Sequence, residues 1–149
     1  MSDFVGDDEQ LFRRVIYDPQ CWARDNNNRL IVTSAAFRDR NHQPSVDRAN
    51  LCNNNPSHTQ GSDRRNGVVQ LVAGQIRRID DVIKQERDVS VLLYLIDVVP
   101  APLEDNLAHA EVRADPQIAS DKIFRRLRQS LAILANQQRW LILPEGFRD

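Results

Sequence analysis

The reading of the fold turns on Val89-Ser-Val-Leu-Leu-Tyr-Leu-Ile-Asp-Val-Val99. In an extended strand, side chains alternate between two faces. One face here carries Leu92, Tyr94, Ile96 and Val98. The other carries Val89, Val91, Leu93 and Leu95, then Asp97. Both faces are apolar for most of the length, the pattern of a strand covered on both sides. A buried helix would share that pattern, but the β-branched content and the stop at Pro100 and Pro102 favour a strand. The expectation is a single α+β domain built on a mixed sheet, with residues 89–99 as central strand and helices packed on it.

The stretch that follows is the one richest in chemistry. Pro100-Ala-Pro-Leu-Glu-Asp-Asn-Leu-Ala-His-Ala-Glu111 gathers Glu104, Asp105, Asn106, His109 and Glu111. A rigid strand feeding a polar loop is a common way to hold functional groups in place.

Outward from this centre, the C-terminal third reads as a helix over about residues 116–137. Asp115 with Pro116, or Ser120, can open it, and Ile123, Phe124, Leu127, Leu131 and Leu134 form one apolar stripe. That stripe is the expected cover for the central strand. Arg29–Thr33, Val68–Val72, Ala108–Arg113 and Trp140–Pro144 read as further strands. Leu11, Phe12, Val15 and Ile16 suggest a helix over Glu9–Tyr17, capped by Asp7 or Asp8. Ser34–Phe37 and Ser45–Leu51 read as helical turns. Ala73–Ile79 begins another, which the spacing of Ile76, Ile79 and Ile83 extends towards Lys84. Residues 53–67 hold no apolar side chain before Gly67 and read as a flexible polar loop.

Composition bounds the function. The 149 residues are 41% hydrophobic and 28% charged, close to globular averages, with a formal net charge of −1. That balance gives no overall attraction to nucleic acid or membrane. No apolar run approaches the ~20 residues of a membrane span. Two cysteines, Cys21 and Cys52, are too few for a disulfide scaffold. The acidic N-terminus lacks a secretory pattern, so a cytoplasmic setting is expected. Only 5 glycines occur, with no phosphate-binding loop and no nucleophile-elbow motif.

Three constellations remain. His109 beside Glu111, Asp105 and Asp97 suits general acid–base work, since a histidine oriented by a carboxylate titrates near neutral pH. Lys122, Arg125, Arg126 and Arg128 form a basic helix face that nucleic acid or an acidic partner could meet. Arg38, Arg40, Arg48 and Asn106 add polar groups in loops, a surface for a protein partner. His109-Ala-Glu111 is also similar to the His-x-Glu half of the zinc nucleobase deaminase signature. The Pro-Cys-x-x-Cys half is missing because no cysteine follows Cys52, so the ligand count fails. No metal site and no cofactor is expected.

The stretch P-x-P-L-x-D-N-x-A-H-A-E, with Ala36-Phe-Arg-Asp-Arg40 and Pro44-Ser-Val-Asp-Arg-Ala49, resembles small uncharacterised bacterial proteins. The resemblance implies no activity. It implies a bacterial origin and places the two stretches on one surface. The leading functional expectation is a binding or adaptor module acting through its polar loops on a protein partner. The alternatives are a small hydrolytic or nucleic-acid-processing enzyme using His109, and nucleic-acid binding through the basic helix.

Overall fold

The computed structural model describes residues 3–86 and 90–148. Among the described residues, nine strands and three α-helices follow in the order β1 (Gln10–Val15), β2 (Trp22–Arg24), β3 (Leu30–Val32), β4 (Ser45–Arg48), α1 (Pro56–Gln60), β5 (Gly67–Val72), α2 (Ala73–Arg77), β6 (Ile83–Glu86), β7 (Ser90–Leu93), β8 (Leu95–Pro100), β9 (His109–Asp115) and α3 (Asp121–Asn136). Five of the strands form one sheet in the order β5-β1-β4-β9-β8, every neighbour antiparallel. β2–β3 and β6–β7 are separate two-stranded ribbons. The α+β class is as expected. Among the described residues, no helix is long and apolar enough to cross a membrane.

The register sorts the sheet into two unlike faces. Phe12 stands opposite Asp47, Asp47 opposite His109, and Ser45 opposite Glu111. Because side chains alternate, these residues share one face, and Leu11, Val46, Ala110 and Val112 share the other. The second face is sealed. Its residues join Val69, Leu71, Ile96 and Val98 in one core with Ile123, Phe124, Leu127, Leu131 and Ala135 of α3. The first face is only partly covered, by a small cluster of Phe12, Ala49, Cys52, Val68 and Ala108.

The 89–99 stretch is not a central strand. Val89 lies outside the described residues. The rest divides at Tyr94 into β7, which pairs with β6, and β8, which is the sheet edge. Ile96 and Val98 are buried, while Leu95 is 63% exposed and Leu93 44%. An apolar alternation registers side-chain character, whereas sheet position depends on which distant strands pair with it. The middle of the sheet is β4, within the segment expected to be a helical turn; only Ala49–Leu51 turns as a 3-10 helix. β1 replaces the helix expected over Glu9–Tyr17. A strand buried on both faces also places apolar residues at i, i+1 and i+4: Leu11 and Val15 enter the main core and Phe12 the small one. α2 stops at Arg77, and Ile83 opens β6 instead of extending the helix.

The 53–67 stretch, expected to be a loop throughout, contains α1. Asn55 caps it by accepting from Ser57 N at 3.1 Å, and Pro56 fills its first turn. Its packing is polar, which hid it from any apolar pattern. Gln60 Nε2 donates to the Arg64 and Asn66 carbonyls at 3.0 Å each, and Asn66 Nδ2 donates back to Gln60 O at 3.2 Å. α3 spans Asp121–Asn136, its Ser120 cap accepting from Ile123 N at 3.2 Å. The Trp140–Pro144 segment makes a single bridge, Ile142 to Val68, along the outer side of β5.

The N-terminal segment is tied to the sheet by Arg48. Its Nε and Nη2 each donate to a Glu9 carboxylate oxygen at 2.9 Å, and it also donates to the Asp3 and Phe4 carbonyls. Burial raises the Glu9 carboxyl, but hydrogen bonds from Arg48 and Gly6 N–H outweigh that and hold it below its ordinary 4.5. The folded chain therefore binds this proton less tightly than the unfolded chain. The resulting stability is complete above about pH 4.5 and is lost as pH falls through the lower folded value. Glu9→Gln is expected to cost about 1–3 kcal/mol near neutral pH and to flatten the acid limb of the stability curve. Urea midpoints across acid and neutral pH check this; an unchanged acid limb would refute it.

Candidate functional site

The partly covered sheet face holds a cleft of about 370 Å³, lined by Arg14 of β1, Ser45 and Asp47 of β4, His109 of β9, Thr59 of α1, Asn106, and the Arg38–Asp39 segment. The two stretches that carried the bacterial resemblance thus meet at one place. Alternation explains the gathering: Ser45 and Asp47 are two apart on β4 and His109 faces Asp47 across the ladder.

Asp47 is the buried carboxylate of this site, 7% exposed. Its Oδ2 accepts from Thr59 Oγ1 at 2.7 Å and its Oδ1 from Asn106 Nδ2 at 2.8 Å. Asn106 Oδ1 in turn accepts from Ala108 N at 3.2 Å and lies 2.9 Å from His58 Nε2. A buried carboxylate is tolerated when its lone pairs are met this way. One side chain thereby fastens α1 and the 101–108 loop onto the middle strand.

His109 sits beside this latch. Its Nδ1 is 2.7 Å from the Ala101 carbonyl, which can only accept, so Nδ1 carries the proton. In the neutral imidazole, Nε2 is then a free acceptor, and Ser45 Oγ lies 3.1 Å from it, placed to donate. Below them, buried Arg13 donates to the carbonyls of Ala36 (3.0 Å), Ser45 (2.8 Å) and Arg38 (3.0 Å), which fixes the backbone under the serine. Burial pushes the Arg13 guanidinium down to about 10, with Asp39 partly opposing. Arg14 Nε donates to Thr59 O at 2.7 Å. Gly61, at φ +77°, passes so close that an added Cβ would stand 2.8 Å from Arg14 Nη2. That φ favours glycine, and an added Cβ would also push the Arg14 guanidinium aside.

Of the sequence-predicted groups, His109, Asn106 and Arg38 line the cleft. The carboxylates expected to orient His109 lie elsewhere. Glu111 takes both Nε (3.0 Å) and Nη2 (2.7 Å) of Arg113, Asp97 pairs with Arg77 at 2.7 Å, and Asp105 is exposed at the loop tip. A backbone carbonyl does the orienting instead. Arg48 is buried against Glu9, away from any open surface. Arg40 lines a neighbouring hollow with Arg128. Lys122 and Arg125 are exposed, whereas Arg126 donates to Ile83 O at 2.7 Å and Arg128 to Ser34 O at 3.4 Å. The basic helix face is therefore partly committed to holding the fold. Among the described residues, no group of three or more His, Cys, Asp or Glu is placed to hold a metal ion.

Sequence reasoning missed Ser45, Asp47, Thr59 and Arg14. The signal was present as Ser-x-Asp at 45–47 beside His-x-Glu at 109–111, two alternating polar pairs. It is legible only once 45–48 is taken as a strand. No family model matches the chain, and no curated protein or solved structure matches it either. The comparisons thus lend no support to the bacterial resemblance, and the chemistry rests on this geometry.

Replacing Asp47 by Ala leaves the Thr59 hydroxyl and the Asn106 amide without their buried acceptor. The expected loss is about 2–3 kcal/mol, with faster amide hydrogen exchange concentrated in residues 56–60 and 103–108. Exchange that rises uniformly, or not at all, would show that Asp47 does not latch these segments.

Proposed function

We propose that this chain is a small hydrolase acting by acyl transfer, with Ser45 as nucleophile and His109 as its base. The observation that carries the reading is the 3.1 Å contact from Ser45 Oγ to His109 Nε2, with Nδ1–H held by the Ala101 carbonyl. A serine alone is a weak nucleophile; a neighbouring imidazole of fixed tautomer activates it. The Ser45 hydroxyl bonds to the substrate carbonyl carbon as its proton passes to His109 Nε2. The leaving group departs with that proton. Water then attacks the acyl-serine, giving a proton to His109, and Ser45 Oγ recovers it as the acid leaves. Arg14, on the cleft wall, is a cation available to the oxyanion that forms in both steps. A cytoplasmic setting belongs to the same proposal, since Cys21 and Cys52 are buried and unpaired, as in a reducing compartment.

Hydrolysis of a panel of p-nitrophenyl esters tests this. Ser45→Ala and His109→Ala are each expected to lower kcat/KM by about 1,000-fold, and a fluorophosphonate probe is expected to label Ser45. Residual hydrolysis at the wild-type rate in Ser45→Ala would end the proposal.

A second reading, a module that docks a protein partner, draws on the 101–108 loop. Leu103 and Asn106 close a tight turn through two backbone hydrogen bonds of 3.0 Å, holding Glu104 and Asp105 at its tip. Leu103 is 48% and Leu107 71% exposed beside them. Two exposed apolar groups with charged ones at their edge match the apolar centre and polar rim of an interface. Leu103→Ser with Leu107→Ser should release a stoichiometric co-purifying partner without changing ester hydrolysis; a partner retained by the double variant would count against this surface.

A further inference from the structure

A second hollow, about 540 Å³, lies beside the cleft and shares the Arg38–Asp39 segment with it. Its walls come from two distant parts of the chain. Arg38, Arg40 and His42 arrive from the loop before β4, and Phe124 and Arg128 from α3. Three guanidinium groups thus line one concavity, with Arg125 one helical turn from Arg128. Among the described residues, no carboxylate forms an ion pair with any of the four. The two acids lining the hollow are Asp39 and Asp121. Asp121 is engaged by His42, whose Nε2 lies 2.9 Å from its Oδ1, while His42 Nδ1 donates to Ile118 O at 3.0 Å.

Arg128 is the telling residue. Its guanidinium lies over the Phe124 ring at 5.2 Å, and its Nε is shielded from solvent without a hydrogen-bond partner. Burial, with the like charges of Arg38 and Arg125, lowers its hold on its proton. The guanidinium as a whole is only half-buried and lines the hollow with those of Arg38 and Arg40, so, among the described residues, three like charges share one concavity with no anion between them.

We propose that this hollow binds a phosphate group, with Arg38, Arg40 and Arg128 as its ligands. A phosphate brings close to two negative charges and three strong acceptor oxygens, which match planar guanidinium forks converging from separate elements. The hollow is roomier than phosphate alone requires, so it also admits a phosphate monoester. The site stands whether or not Ser45 and His109 are reactive.

Proton–nitrogen correlation spectra of the arginine Nε–H groups test it directly. Inorganic phosphate, added at ionic strength matched with chloride, is expected to shift the Arg38, Arg40 and Arg128 Nε–H signals saturably as the guanidinium groups bind it. Adenosine monophosphate against inorganic phosphate distinguishes the source: tighter binding of the ester points to a phosphorylated metabolite, and the reverse order to free phosphate. Arg40→Gln, at an exposed position, and Arg128→Met are each expected to weaken binding about ten-fold or more, while Lys122→Gln leaves it unchanged. Arg38, Arg40 and Arg128 Nε–H signals that do not respond to saturating phosphate would overturn the proposal. So would phosphate binding of wild-type strength in Arg40→Gln, which reports even if Arg128→Met fails to fold.

Discussion

One buried carboxylate organises the open side of the molecule. Asp47 stands on the middle strand of the sheet, where little water reaches it, and burial of an unmet charge is too costly to persist. Its two oxygens are met by Thr59 and Asn106, which belong to segments far away in the chain. The short α1 helix and the 101–108 loop are held against β4 by that requirement. The cleft is the space left between them, and the placement of Ala101 behind His109 follows from the same loop being fastened down. A single polar constraint therefore supplies the walls of the site and the orientation of its imidazole.

The other side of the sheet follows ordinary apolar physics. The α3 stripe covers Leu11, Val46, Val112, Ile96 and Val98, and this burial supplies the main core. The division lets polar groups collect on the opposite face without weakening that core. Arg13 is the exception, a cation enclosed by carbonyls of Ala36, Ser45 and Arg38. It joins the two halves, since the same guanidinium braces the backbone of the cleft serine and of the segment separating the two hollows. Arg38 lines both hollows, so the chemistry of one is not electrostatically independent of the other.

Local pattern carried some of this architecture and hid the rest. The α3 stripe was legible because one helix face meets one core, so its period survives in the sequence. β5 was legible as a short run of mostly β-branched apolar residues and β9 by its alternation, each close to its expected span. β1 and β4 were not. β1 is buried on both faces and β4 is short and half polar, and each can be mistaken for a helical turn until its partners are known. The site shared that fate. His109, Asn106 and Arg38 stood out by residue type, whereas Ser45, Asp47 and Thr59 are ordinary polar residues until a sheet register sets them beside a histidine.

The amino-acid sequence by itself determined the α+β class, the C-terminal helix with its buried stripe, and the imidazole near residue 109 as the first place to look for chemistry. These follow from periodicity and side-chain character, which neighbouring residues set. Tertiary structure alone decided that the greasy 89–99 stretch divides and ends at the sheet edge, that Asp47 is buried while Asp105 is not, and that a serine hydroxyl and a backbone carbonyl flank His109. Strand order and burial are set by hydrogen bonds between residues dozens of positions apart, and no local window of the chain contains them.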